Sequence, residues 1–323
     1  MKIVFYNKNL LSGGIEKCIE LLSKNIYKDF DIDVVYTHTD KLDPNIVEVL
    51  KRYANVYQLE DKVVECDVAI WCFLYFDYRV VKQQIKAKKN ICWIHSMPRI
   101  LPDCLLDNEE FVNDMDEFIC VSEAVKRNLN IKKEGKVIHN FMPNDIVELS
   151  NINPIQYQTE CLNLVVVSRL STGKGFERLL IMTETLINKG IPFKITVIGK
   201  GRSEEERIRA SFAPYSNVEF VGYQENPYRY IKNADYLVQL SDAESWCNVI
   251  TEAKILGVPV IVTNFESAKE QVVHLENGIL IPLEETDYNS YIELACTYKE
   301  ALKENLKNFV FENEMELWYK LFE

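Results

Sequence analysis

The sequence predicts an α/β protein made of two doubly wound parallel sheets, and three observations predict it. Apolar runs alternate with helical patterns in both halves of the chain, which implies parallel strands joined by crossover helices. The stretch Leu237–Thr263, LVQLSDAESWCNVITEAKILGVPVIVT, reads as one such unit: a strand, a polar turn, a short helix, then Gly257-Val258-Pro259 and a second strand. Between the two series lies Phe141–Glu160, which is polar, carries Pro143 and Pro154, and lacks sustained periodicity. It reads as the linker, with residues 146–160 at its centre, residues 1–145 forming a first domain and residues 161–305 a second.

In the first domain the apolar runs place strands at Lys2–Tyr6, Asp33–Tyr36, Val68–Phe73, Asn90–His95, Glu117–Val121 and Lys136–His139. Helices are expected at Gly14–Tyr27, opened by the Gly13-Gly14 pair, at residues 78–88, and at Ser122–Leu129. In the second domain strands are expected at Leu162–Ser168, Phe193–Ile198, Val218–Val221, Tyr236–Leu240, Pro259–Val262 and Gly278–Ile281, with helices at Gly175–Asn188 and Asn248–Leu256. The final segment, Asn289–Glu323, is helical in pattern and ends in Phe309, Phe311, Trp318, Tyr319 and Phe322, a cluster that needs a surface to bury it.

Composition excludes several classes. The 323 residues are 47% hydrophobic and 27% charged, enough for two buried cores. No apolar stretch approaches the roughly 18 residues that span a bilayer, and the N-terminus lacks a cleavage site, so a cytoplasmic protein is expected. Nine scattered cysteines read as small buried hydrophobes in a reducing compartment rather than as a zinc site or disulfide scaffold. A net charge of −12 argues against nucleic acid as a partner. One region runs counter to that charge: Arg79, Lys82, Lys86, Lys88, Lys89 and Arg99 lie near Trp71, Phe73, Tyr75, Phe76 and Trp93. It suits an anionic membrane surface or a lipid-linked acceptor, and equally a helix over 78–88 with lysines on its wet face.

Candidate site residues collect where strands end. Glu244 lies in the turn after one strand and Glu252 about one turn into the next helix, at the ligand-facing edge of a parallel sheet. Carboxylates there can accept sugar or ribose hydroxyls, while the first N–H groups, at Asn248 and Val249, suit a phosphate oxygen. Two glutamates decorating a solvated helix explain the same spacing. Leu164–Lys174, LVVVSRLSTGK, ends a buried strand at Ser168-Arg169 and presents Lys174 from a glycine loop. Two cations there could hold a diphosphate, or pair with neighbours such as Glu177. Gly13 and Gly14 after the first strand, and Gly199 and Gly201 in IGKGR, could bring backbone close to a nucleotide, or could merely turn the chain. The acid pairs Asp29/Asp31 and Asp31/Asp33 read as a polar turn, and Ser122 as a helix N-cap.

In order and spacing these motifs resemble the retaining glycosyltransferases of the GT-B fold, in particular family four, glycosyl transferases group 1, with its many bacterial polysaccharide and glycolipid enzymes. The resemblance runs nearly end to end. Its strongest part is SRLSTGKGFERLL, then VIGKGR, then VEFVGYQENPYRYIKNADYLVQLSDAESWCNVITEAKILGVPVIVT with its Glu-x7-Glu signature. Weaker matches are SGGIEK, WIHSMP, FICVSEAVKRNL and KVIHNF.

The resemblance implies two Rossmann-like domains facing each other across a cleft, the first completed by the terminal helix of residues 306–323. It places Arg169 and Lys174 on the donor diphosphate, Glu252 on the ribose, and Glu244 with the loop Ser245, Trp246, Cys247, Asn248 and Val249 at the donor sugar. Gly13 and Gly14 match the loop that closes over the phosphates, and His95 a histidine beside the transferred sugar, though a strand-end histidine bonded to backbone is also common. The implied reaction transfers a hexose from a nucleoside-diphosphate sugar, a UDP-sugar by family frequency, to a glycan or lipid-linked acceptor with retention and without a metal. The chain departs from the family at Cys247, where glycine or proline is usual, so a narrower sugar pocket or an altered sugar preference is expected. Rival readings are a silent partner subunit and a GT-B sugar-nucleotide 2-epimerase. A dinucleotide oxidoreductase fits less, since no Gly-x-Gly-x-x-Gly follows the first strand. The expected location is the cytoplasm, peripheral at the inner membrane face.

Overall fold

The structure is a computed structural model that describes residues 1–11, 13–38, 42–60, 62–72, 74–97 and 104–323. Ser12, Phe73, Pro98 and Arg99, which belong to sequence motifs above, lie outside the described residues. The chain divides into two compact units, Met1–Phe141 with Asn313–Glu323, and Met142–Glu312.

The first unit is built on seven strands: β1 (Lys2–Tyr6), β2 (Asp31–Tyr36), β3 (Asn55–Gln58), β4 (Val64–Trp71), β5 (Ile85–Ile94), β6 (Glu117–Cys120) and β7 (Gly135–Val137). Their order is β3-β2-β1-β4-β5-β6-β7, and the pairings are parallel. The order reverses between β1 and β4, so chain leaving those two strands opens a crevice at their carboxyl ends. The helix Gly14–Ile26 follows β1 directly.

Three elements differ from the sequence reading. β2 begins at Asp31, and Asp33 is not part of a polar turn: it is 2% exposed and accepts hydrogen bonds from Tyr57 (2.6 Å) and Asn55 (3.0 Å) while pairing with Lys2 (2.9 Å). Those tyrosine and asparagine partners come from β3, an edge strand whose half-buried NVYQ carries too little apolar signal to stand out. The helix expected at 78–88 stops at Gln84, and Lys86, Lys88 and Lys89 lie on β5. Burial there alternates with period two, and β5 pairs with a β4 segment of matching pattern, where Lys88 meets Asp67 at 2.7 Å. Opposite charges across a strand pair favour extension of the ribbon over continuation of the helix.

The terminal segment is also interrupted. One helix runs Asn289–Leu306 and a second Met315–Phe322. Phe309 and Phe311 stay with the second unit, where Phe309 lies under Lys254. The last helix covers the first unit: Trp318, fully buried, packs edge-on against Trp93 at 4.7 Å, and Phe322 against Phe30 at 5.3 Å. Polar bonds fix its ends. Glu314 accepts from the backbone N–H of His139 (2.7 Å), Lys89 donates to Leu321 O (2.6 Å), and Tyr319 donates to Asp29 (2.6 Å).

The second unit carries β8 (Leu162–Val167), β9 (Phe193–Ile198), β10 (Val218–Gly222), β11 (Tyr236–Gln239), β12 (Val260–Thr263) and β13 (Gly278–Ile281), parallel in the order β10-β9-β8-β11-β12-β13. Alternate residues of β8 face opposite sides, so Leu164 and Val166 join one apolar cluster and Val165 the other. The helix Phe176–Asn188 covers the first cluster with Phe176, Leu179, Met182 and Leu186 at helical spacing. The helix Asn248–Ile255 covers the second with Ile250 and Ala253. Here the order reverses between β8 and β11, the two strands that lead to Lys174 and Glu244.

Candidate functional site

The carboxyl edge of β8 and β11 brings together the residues that the sequence singles out in the second unit. After β8 the chain passes Ser168 and Arg169, turns through Gly173 and Gly175, and enters the helix Phe176–Asn188. Gly175 holds φ +74°, and a Cβ there would meet Leu240 O at 1.8 Å, so only glycine lets this loop rest on the end of β11. That contact delivers Lys174 to the β11 turn.

Lys174 Nζ bonds Glu244 Oε1 at 2.7 Å, with each side chain about four-fifths buried (19% and 18% exposed). The same oxygen accepts from Ser241 Oγ at 2.8 Å and Gln239 Nε2 at 3.3 Å. Ser267 Oγ donates to the Glu244 carbonyl at 2.8 Å, and Thr263 Oγ1 to the Ser241 carbonyl at 2.6 Å, so β12 and the turn after it brace the loop from the far side. Arg178 ties the Leu240 carbonyl to that of Leu283 and pairs with Asp242 at 2.5 Å. Thus Glu244 is an immobilised carboxylate with one oxygen committed. Its second oxygen has no partner among the described residues.

Glu252 stands in the helix Asn248–Ile255, half-buried, with Tyr228 OH at 3.5 Å from its Oε1. Asn248 and Val249 open that helix, whose first turn leaves N–H groups without intrahelical acceptors. Arg169 is exposed, and its guanidinium makes no ion pair with the described residues, which leaves a free cation at the strand edge. Lys174 pairs with Glu244 rather than with Glu177, which lies beside Arg207.

Two parts of the sequence reading acquire a structural role. Cys247 is 5% exposed and belongs to the apolar cluster with Ile250, Ala253 and Val262. Burial, with Glu244 and Glu252 nearby, pushes its thiol well above the usual range. It therefore stays protonated and packs with the core beneath the turn. The glycines of IGKGR serve the fold: Gly199 has φ +138°, and a Cβ there would meet Ser168 O at 1.9 Å. Their N–H groups are also occupied, that of Gly199 by Gly222 O (2.8 Å) and that of Gly201 by Glu205 (2.6 Å). Ser245 and Trp246 lie half-buried in the turn itself.

His95, Gly13 and Gly14 belong to the first unit. His95 follows β5 with its ring 4.2 Å from that of Trp93, and its Nε2 is buried without a hydrogen-bond partner among the described residues. Burial pushes the imidazole down to about 3, so it is neutral at physiological pH. Gly13, in extended backbone, caps the helix Gly14–Ile26, and the Glu16 carboxylate sits beside it, held by Asn7 Nδ2 at 3.0 Å. An acid already faces this helix N-terminus. Ser122, left outside the site, caps its helix by accepting from Val125 N at 3.0 Å.

The basic region is largely paired. Arg79 meets Glu110 (3.0 Å), Lys82 meets Asp114, Lys88 meets Asp67 (2.7 Å), and Lys89 is spent on Leu321 O. Lys86 has no ionic partner among the described residues. Among them, too, no helix is long and apolar enough to cross a membrane.

Residues 154–309 match the family model for glycosyl transferases group 1. A capsular polysaccharide biosynthesis glycosyltransferase, CapM of Staphylococcus aureus, is 27% identical over 194 residues, 55% of this chain and 50% of that relative. The chain spans between about two fifths and two thirds of the length of the curated relatives it matches. Among solved structures, HepE of Anabaena in complex with UDP and glucose superposes with a TM-score of 0.71 at 16% identity, covering 95% of this chain and 94% of HepE. TarM superposes with 0.75 at 14% identity, covering 99% and 98%. These likenesses show the GT-B fold.

Proposed function

We propose that this chain, whose residues 154–309 match the family model for glycosyl transferases group 1, is a retaining glycosyltransferase moving a hexose from a nucleoside-diphosphate sugar to a glycan or lipid-linked acceptor in cell-surface polysaccharide synthesis. The observation that carries the reading is the immobilised Lys174–Glu244 pair at the switch point of the second sheet, with Arg169 and Glu252 on the same edge. Lys174 and Arg169 hold the diphosphate and stabilise the charge that grows on it as the glycosidic bond breaks. Glu252 takes the ribose hydroxyls, and Glu244 the sugar hydroxyls through its second oxygen. Positioning and charge stabilisation are the protein's contribution, with the departing phosphate helping to remove the acceptor's proton on the face that the donor leaves. These two cations supply the positive charge, so no metal is assigned a role.

The UDP and glucose bound by HepE support a UDP-hexose donor, and the role named for CapM supports a polysaccharide product. A peripheral contact with anionic membrane through Arg79, Lys82, Lys86, Lys88 and Lys89 has weaker support, because four of the five are engaged within the protein.

Thermal stabilisation by UDP-, GDP- and ADP-sugars, measured beside Glu252→Ala and Lys174→Ala, tests the donor site. One nucleotide class stabilises the wild type, and both variants lose the effect. With an acceptor in hand, Lys174→Ala lowers kcat by about 10²- to 10³-fold, the loss of roughly 2.7–4 kcal/mol that removing one such donor brings. No stabilisation at millimolar nucleotide-sugar sinks the reading and favours a silent partner subunit.

A further inference from the structure

Gln239 breaks the pattern of its strand. β11 lies at the centre of a parallel sheet with all four residues buried, and such positions ordinarily carry apolar side chains. Gln239 is 3% exposed, and its Oε1 is buried with no hydrogen-bond partner among the described residues. An unsatisfied buried amide oxygen is destabilising, and a leucine of similar size would remove the penalty.

What the amide does instead is serve Glu244. Nε2 donates to Ser241 Oγ at 2.6 Å and to Glu244 Oε1 at 3.3 Å, and Ser241 Oγ donates its own hydrogen bond to the same Oε1 at 2.8 Å. Ser241 is fully buried, so this relay is sheltered from water. Lys174 is the third donor to that oxygen. A diphosphate that engages Lys174 draws one donor away. Gln239 and Ser241 then remain to hold the carboxylate in its orientation.

We propose that Gln239, acting through Ser241, is a positioning residue that fixes Glu244 with Oε1 turned inward and Oε2 presented to donor-sugar hydroxyls. It thereby sets the preference for sugar-bearing over bare nucleotide. The inference rests on the donor-site reading of Glu244.

Calorimetric titration of wild type, Gln239→Leu and Ser241→Ala with UDP and with UDP-glucose tests it, GDP or ADP and their sugars replacing these if the wild type prefers them. In both variants the affinity for the bare diphosphate stays within about twofold of wild type, while that for the nucleotide-sugar falls about tenfold. Equal weakening of both ligands assigns Gln239 a merely structural role and overturns the proposal, as does no change in either. If Gln239→Leu fails to fold, Ser241→Ala, which alters little volume, decides alone. Failure of the donor-site reading is seen separately, since the wild type itself would then bind no nucleoside diphosphate.

Discussion

Lys254→Met is the perturbation whose size the structure sets most directly. Lys254 is 7% exposed in the helix that carries Glu252. Its Nζ donates to Gln271 O at 2.6 Å and lies 4.4 Å over the Phe309 ring, with no ion pair to a carboxylate among the described residues. Burial therefore pushes its ammonium down from 10.5 to about 8. Between those values the unfolded chain binds a proton that the folded chain does not, so stability rises with pH at up to about 1.4 kcal/mol per pH unit. Below about pH 8 both states are protonated, and the folded state carries the whole cost of the buried charge, about 3 kcal/mol. Methionine fills similar space without titrating. Its lost bond to Gln271 O and lost ring contact offset the gain by an amount that does not vary below pH 8, where Lys254 is charged.

The assay is urea unfolding of both proteins from pH 7 to pH 10, followed by circular dichroism. Wild-type stability minus that of Lys254→Met rises by about 2–3 kcal/mol across the window. Tyrosines and cysteines that burial holds up, such as Tyr236 and Cys247, lose stability over the same range, but they are common to both proteins and cancel in the difference. A difference that stays within about 1 kcal/mol from end to end refutes the reasoning, because it means that the folded protein keeps Lys254 charged at little cost.

Two further outcomes follow from the first unit. Trp318→Ala removes a fully buried ring from contacts with Trp93 and Phe141 and destabilises that unit by about 3–5 kcal/mol, read by urea unfolding; a loss below about 1 kcal/mol would mean that the terminal helix is dispensable there. His95, held at about 3, stays neutral at pH 5 in the folded protein, whereas the unfolded chain begins to protonate it near 6.5. Stability therefore falls as pH drops through that interval. Nitrogen-15 chemical shifts report the tautomer, and an imidazole that titrates near 6.5 in the folded protein contradicts the assignment.

The fold was legible where one face or both faces of an element are apolar. Strands such as Leu162–Val167 and Phe193–Ile198 announce themselves because burial on both sides demands unbroken hydrophobic runs. β3 does not, because an edge strand half in water can be built from NVYQ, and its reason for existing is the buried Asp33 carboxylate, whose partners are twenty-two and twenty-four residues away. The helix over 78–88 failed for a related reason. Lysines at 86, 88 and 89 are compatible with either period, and only the neighbouring β4, with Glu65 and Asp67 in register, decides for the strand. Local pattern settles an element when the core dictates it; pairing with a distant acid settles it when the surface does.

The candidate site divides along the same line. Arg169, Lys174, Glu244 and Glu252 could be named from sequence because parallel topology sends every strand's carboxyl end to one edge, so charged residues just past those ends are brought to a common face. Which of them touch could not be named: the Lys174–Glu244 bond joins residues 70 apart and depends on Gly175 resting against Leu240. Residue type alone also did not show burial, as with Cys247, whose side chain joins an apolar cluster of the second unit. Gln239 shows the reverse case. A polar residue inside the apolar run YLVQL was visible from the start, yet a single glutamine in a strand has no chemistry until its neighbours are known. What flags it is a buried amide oxygen left unsatisfied beside the Glu244 carboxylate, a position where the fold alone would be more stable with leucine.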